Sequence, residues 1–239
     1  MDNRQYNVQG QGGIQVARGS ATGAISPEAT KVLRNTYTLL AMTLLFSAVM
    51  AGVSMSIGLS RGASLVCSLG ALALVWLVLP RTANSSAGIG VVFAFTGLLG
   101  LSLGPILMHY LQFSNGGQIV MQALGGTAVV FLGLSGYVLT TKKDFSFMRG
   151  MLVAGLMVVI VGMLGAFVAS LFGVQMTAFS LAISAAVVFL MSGFILYDTS
   201  RIVNGGETNY IMATTGLYLN IYNLFVSLLH LIGAFSGDD

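Results

Sequence analysis

Val187 to Ile232 reads VVFLMSGFILYDTSRIVNGGETNYIMATTGLYLNIYNLFVSLLHLI, two apolar spans joined by a short polar connector. A single acid, Asp198, lies inside the end of the first span. Across the second, Asn220, Asn223, Ser227 and His230 recur at steps of three and four, and Ala213 and Gly216 extend the line backwards. Residues so spaced share one face of a helix. Small and polar side chains on one stripe of an apolar helix predict that the stripe is turned away from lipid. The last span is therefore expected to be a central helix with the other six packed around it.

Working outward, the chain has the composition of a membrane protein: 56% hydrophobic and only 7% charged residues, with a mean hydropathy of +0.89. Spans are expected at 37–58, 63–79, 87–111, 118–141, 151–172, 177–203 and 210–235. Each is near the ~20 residues that a bilayer core requires. The fold class is thus all-α and polytopic, with seven transmembrane helices in one domain over 26–239. Residues 1–25, rich in Gly, Gln and Asn, have no apolar run and are expected to form a disordered cytoplasmic tail. No apolar stretch follows closely on a basic start, so the tail is not a signal peptide. Ser26-Pro27-Glu28 marks a helix start, with a capping hydroxyl, a first-turn proline and an acid at the positive end.

Basic residues set the orientation. Arg4, Arg18, Lys31, Arg34, Arg81, Lys142, Lys143, Arg149 and Arg201 fall on one side of a seven-span topology, and Arg61 alone on the other. That places the N-terminus in the cytoplasm and the C-terminus in the periplasm. Ten scattered basic residues make no nucleic-acid surface. Gly97, Gly100 and Gly104, then Gly125, Gly126, Gly133 and Gly136, then Gly162 and Gly165 are expected where helices approach closely. Pro105 is expected to kink the third span.

Asp198 is the only acid embedded in a span. A carboxylate in lipid is costly unless paired, which makes it the leading functional candidate. It lies ~8 Å inside the cytoplasmic end, a depth that Arg81 and Arg201 share. Two arrangements are open: a local Asp198–Arg201 pair, or an Asp198–Arg81 clasp that loosens on protonation. Catalytic, cofactor and metal sites are not expected. Gly133-Leu-Ser-Gly136 and His230-Leu-Ile-Gly233 have the form of the rhomboid protease serine and histidine spans. Ser135 sits near the cytoplasmic face and His230 near the outer one, however, and a Ser–His dyad needs contact. An aspartyl dyad lacks its second acid. His109 and the lone Cys67 stand apart from any ligand cluster.

Several stretches carry a resemblance. They are Lys31-Val-Leu-Arg-Asn-Thr-Tyr37, Phe93-Ala-Phe-Thr-Gly97, Gly104-Pro-Ile-Leu107, Ala123-Leu-Gly-Gly-Thr127 and Tyr137-Val-Leu-Thr-Thr141. Lys143-Asp144, Gly205-Gly-Glu-Thr-Asn-Tyr210 and Asn223-Leu-Phe-Val-Ser-Leu-Leu229 follow. Over roughly 30–235 the chain resembles the Bax inhibitor-1 family of seven-span proteins, in its bacterial YccA-like branch. The resemblance implies six helices around a seventh, residence in the bacterial inner membrane, and a partner, the membrane AAA protease FtsH. Proteins of that branch act as slowly degraded substrates that limit the protease, which grips a cytoplasmic N-terminal tail. In another branch, a pH-sensitive calcium leak, two aspartates share a proton and clasp a basic residue. Asp198 matches the first aspartate and Arg81 the basic partner, but the second is Asn220. An amide neither shares a titrating proton nor supplies charge to a divalent ion. The leading expectation is a non-enzymatic FtsH modulator; the runner-up is a proton-gated calcium or cation leak.

Overall fold

The computed structural model describes residues 25–174 and 177–236. Apart from Ile25, the tail expected over 1–25 lies outside them, as do Gly237, Asp238 and Asp239. Ser26 starts the first helix as its sequence suggests. Its Oγ accepts the Ala29 amide N–H at 3.1 Å, and α1 then runs unbroken over Pro27–Ser56. Helix α2 spans Arg61–Thr82 and contains one wide turn, Leu74–Val78, in π geometry. Pro80 offers no N–H and its ring crowds the carbonyl one turn back, and a π turn relieves that crowding. The helix continues past Leu79, so Arg81 occupies its last turn.

Helices α3 (Ala87–Leu111), α4 (Gly116–Thr141) and α5 (Arg149–Leu171, after a single 3-10 turn at Ser146–Met148) follow. Then come α6 (Thr177–Val203) and α7 (Tyr210–Ser236). Among the described residues there are seven helices long and apolar enough to cross a membrane. No strand occurs among them. α3 passes through Pro105 as one continuous helix.

Helix α7 packs directly on α1, α3, α4 and α6, while α2 rests chiefly on α3, and α5 on α6. Half of the most apolar stretch of α7 is buried, against 11% for α2 and for α5. Leu217, Leu224 and Leu229 have no exposed surface at all. The last helix is thus the most buried of the seven, with four direct neighbours.

The α1–α3 contact needs glycine. A Cβ on Gly100 would meet the Ser47 carbonyl oxygen, and one on Gly104 would meet the Ser54 hydroxyl. The expected close approach fails for Gly125, Gly133, Gly136 and Gly165, where a Cβ would have nothing within 4 Å. Gly125 and Gly133 are exposed, since these parts of α4 face outward rather than a neighbouring helix.

Candidate functional site at the base of α6 and α7

Asp198 enters the bundle from the last turns of α6. Its Oδ2 accepts a hydrogen bond from Asn220 Nδ2 on α7 at 2.8 Å. Asn220 is buried. One turn earlier on α7, Gly216 makes room for the carboxylate, because a Cβ there would lie 3.2 Å from Asp198 Oδ2. Beside the pair is a cavity of about 130 Å³ lined by Asp198, Arg201, Glu207, Met212 and Gly216, among others.

Neither arginine partner expected for Asp198 is the one it hydrogen-bonds. Arg201 Nη2 pairs with Glu207 Oε2 at 3.1 Å and also donates to the Gly206 carbonyl at 3.1 Å. Arg81 turns back along its own helix and donates to the Leu77 carbonyl. The reasons are topological. α2 leans on α3 rather than on α6, which holds Arg81 away from the acid. The connector folds back so that Glu207, six residues after Arg201, reaches the guanidinium first.

That connector is the Gly205–Tyr210 stretch, and it is built as a staple. Gly205 adopts φ +74°, a left-handed conformation that favours glycine, just after the end of α6. Glu207 Oε1 accepts the Asn209 amide N–H at 3.0 Å. Asn209 Oδ1 then caps α7 by accepting from the amides of Ile211 (2.9 Å) and Met212 (3.2 Å). Its Nδ2 donates to the Ala83 carbonyl at 3.0 Å and to Asn84 Oδ1 at 2.8 Å in the α2–α3 turn. One short motif therefore ties three helix ends together. An asparagine just before a helix was the readable signal for the cap. Nothing local in the sequence signals the contact to Ala83 and Asn84.

The polar stripe on α7 divides. Asn220 and Ser227 are buried. His230 is half-buried, with Nδ1 at 2.8 Å from Ser184 Oγ on α6. Asn223 is exposed, and its Nδ2 donates to the Leu219 carbonyl of its own helix at 2.8 Å. The expectation that the whole stripe is hidden is corrected at Asn223. It borders a cavity of about 170 Å³ shared with Ser68, Leu72 and Leu219, where α2 stands off from α7. Contacts not foreseen lie on other faces of α7. Tyr218 Oη is 2.6 Å from Ser47 Oγ on α1, and Tyr222 Oη is 2.9 Å from Ser102 Oγ on α3.

Ser135 and His230 are far apart. Ser135 Oγ lies 3.4 Å from Thr199 Oγ1 and His230 binds Ser184. Those two partners are about 22 Å apart along α6 at 1.5 Å per residue. Among the described residues no three His, Cys, Asp or Glu side chains gather as a metal ion would require.

These features define a class: a seven-span, all-helical membrane protein with a carboxylate–amide pair joining its last two helices. The family model described as "Inhibitor of apoptosis-promoting Bax1" matches residues 29–237. An uncharacterized membrane protein of Vibrio cholerae is 51% identical over 213 residues, 89% of this chain and 93% of the relative. The Modulator of FtsH protease YccA of Escherichia coli K12 is 50% identical over 208 residues, 87% of this chain and 92% of that one. A protein of Escherichia coli O6:H1 named Inner membrane protein YccA matches to the same extent. The chain belongs to the Bax inhibitor-1 family. With its seven apolar helices it is a multi-pass inner-membrane protein.

Proposed function

We propose that this protein modulates an FtsH-type membrane AAA protease by occupying it as a slowly degraded competing substrate, without chemistry of its own. The observation that carries the reading is the 50% identity across 92% of a relative named a modulator of FtsH protease. Its Gly205–Tyr210 staple and glycine-tight α1–α3 contact are interactions that extraction would have to break, in keeping with slow degradation. A motor must first grip a segment outside the bundle. Of the connectors on the N-terminal side of the membrane, 83–86 is four residues long, and 142–148 and 204–209 are held to the bundle by hydrogen bonds, so residues 1–25 serve as the handle, with the N-terminus cytoplasmic and the C-terminus periplasmic. A pulse-chase of the full chain and of a variant lacking residues 3–18, in cells with and without FtsH, tests this. The truncated protein is expected to persist and to protect other membrane substrates. Equal half-lives in all four combinations would remove the handle.

A cation leak is the second reading, favoured by the acid inside α6 and its adjoining cavity of about 130 Å³. Against it, the side chain bonded to Asp198 is an amide rather than a second carboxylate. Liposomes holding the purified protein and a calcium dye separate the two readings, with no flux expected.

A further inference from the structure

Between α1 and α4 lies a cavity of about 540 Å³, floored by Tyr218, Tyr222 and Phe225 of α7. Beyond the ring contact of Tyr37 with Phe131, 5.9 Å between centroids, the two helices have no extended interface with each other, and each reaches α7 separately. The space is therefore a groove open sideways: Ala48 and Gly52 on one wall, and Leu124 and Ala128 on the other, are exposed. No charged residue lines it. Its hydroxyls are already committed: Ser47 to Tyr218 at 2.6 Å, Thr127 to the Ala123 carbonyl at 2.7 Å, and Tyr222 to Ser102 at 2.9 Å. With no charged group and no uncommitted hydroxyl proton in the groove, the complementary occupant is uncharged and apolar. The groove lies along membrane-spanning helices, so that occupant enters from the hydrocarbon.

Size decides between the two apolar occupants that a bilayer offers. A helix about 10 Å wide fills about 420 Å³ per turn, so the groove takes about one turn of a spanning helix that has more than five. At about 30 Å³ for a water-sized group, it takes on the order of 18 methylene-sized groups, the content of one lipid tail. We propose that this groove is a binding site for a single acyl chain of a membrane phospholipid. The chain fills the volume that Ala48, Ala51, Gly52 and Ala128 leave, and completes the packing that α1 and α4 do not make with each other. The inference is independent of the protease reading.

The test uses the full-length protein in phosphatidylcholine nanodiscs containing a fraction of phosphatidylcholine with a diazirine at the end of one tail. After irradiation, labelled peptides are mapped by mass spectrometry. Labelling of residues 47–55 and 124–132 is expected to exceed that of the outward face of α5 around Val158 and Val161 at least fivefold. Those two valines are well exposed and serve as the bulk-lipid reference. Gly52→Phe grows into open space, since a Cβ there meets nothing within 4 Å. It should bring groove labelling down to the α5 level while leaving α5 unchanged. If that variant folds poorly, Ala128→Phe fills the groove from the opposite wall and is read in the same way. Equal labelling of groove and α5, or groove labelling indifferent to the filling variant that folds, overturns the proposal. So does a photo-leucine at Leu124 that, in native membranes, crosslinks to a protein chain in preference to lipid.

Discussion

Helices α5 and α7 invert the habit of water-soluble proteins. The span that contains α5, Ser146–Leu171, has the highest mean hydropathy of the seven, 2.7, and only 11% of its apolar stretch is buried. α7 has the lowest, 1.5, and half of its stretch is buried. In water the more apolar helix would be driven inward. In a bilayer the solvent is itself apolar, so hydrophobicity no longer sorts helices and polar groups do. α7 is the most buried of the seven because Tyr218, Asn220, Tyr222 and Ser227 need partners. Three of them have one on α1, α3 or α6. α5 has little to satisfy and packs mainly against α6.

The contrast is sharpest when bulk is added to each region. Gly100→Leu would drive a side chain into the Ser47 backbone of α1. A loss of more than about 3 kcal/mol is expected, seen as failure to insert or purify as a folded species. Gly165→Leu on α5 meets nothing within 4 Å and should shift stability by no more than about 0.5 kcal/mol. Thermal unfolding in detergent compares them. A tolerated Gly100→Leu would mean that α1 and α3 are not in the close contact described.

Much of this was readable beforehand. Apolar run lengths marked the seven helices, Ser26-Pro27 marked the start of α1, and periodicity singled out α7. Partners were less readable, because spacing says which residues share a face and not what that face meets. Asp198 finds Asn220 across a connector whose fold depends on Gly205 and Glu207. Arg81 is held off by the lean of α2 toward α3, and the same lean exposes Asn223. Gly125, Gly133 and Gly136 of α4 carry the same spacing signal as Gly97, Gly100 and Gly104 of α3, yet only the latter three have α1 pressed against them.

The staple predicts a middle-sized effect. Asn209→Ala removes the α7 cap, worth about 1 kcal/mol, and two donors to the α2–α3 turn, worth about 0.5–1.5 kcal/mol each. A loss of about 2–4 kcal/mol is expected, with faster proteolysis of the turn around Ala83. Asn209→Asp keeps the capping oxygen and drops the donors, so it should recover the cap alone. If both variants lose the same amount, the contact with Ala83 and Asn84 carries the whole effect and the cap none.

The smallest expected effect is a coupling close to zero, and it separates the partner found for Asp198 from the one expected. Asn220→Ala removes the donor to a buried carboxylate, a cost of about 1–3 kcal/mol. In an Asp198→Asn background it should cost clearly less, because the carboxylate that needed the donor is gone. Those two substitutions should therefore fail to add. Arg81 bonds the Leu77 carbonyl in its own helix. Arg81→Ala and Asp198→Asn should then add to within about 0.3–0.5 kcal/mol, as independent sites do. Both cycles are read from thermal unfolding of the three single and two double variants beside the unaltered protein, in one detergent at one pH. Additivity at Asn220 combined with strong coupling at Arg81 would restore the clasp across the ends of α2 and α6. It would also mean that α2 moves inward from its rest on α3.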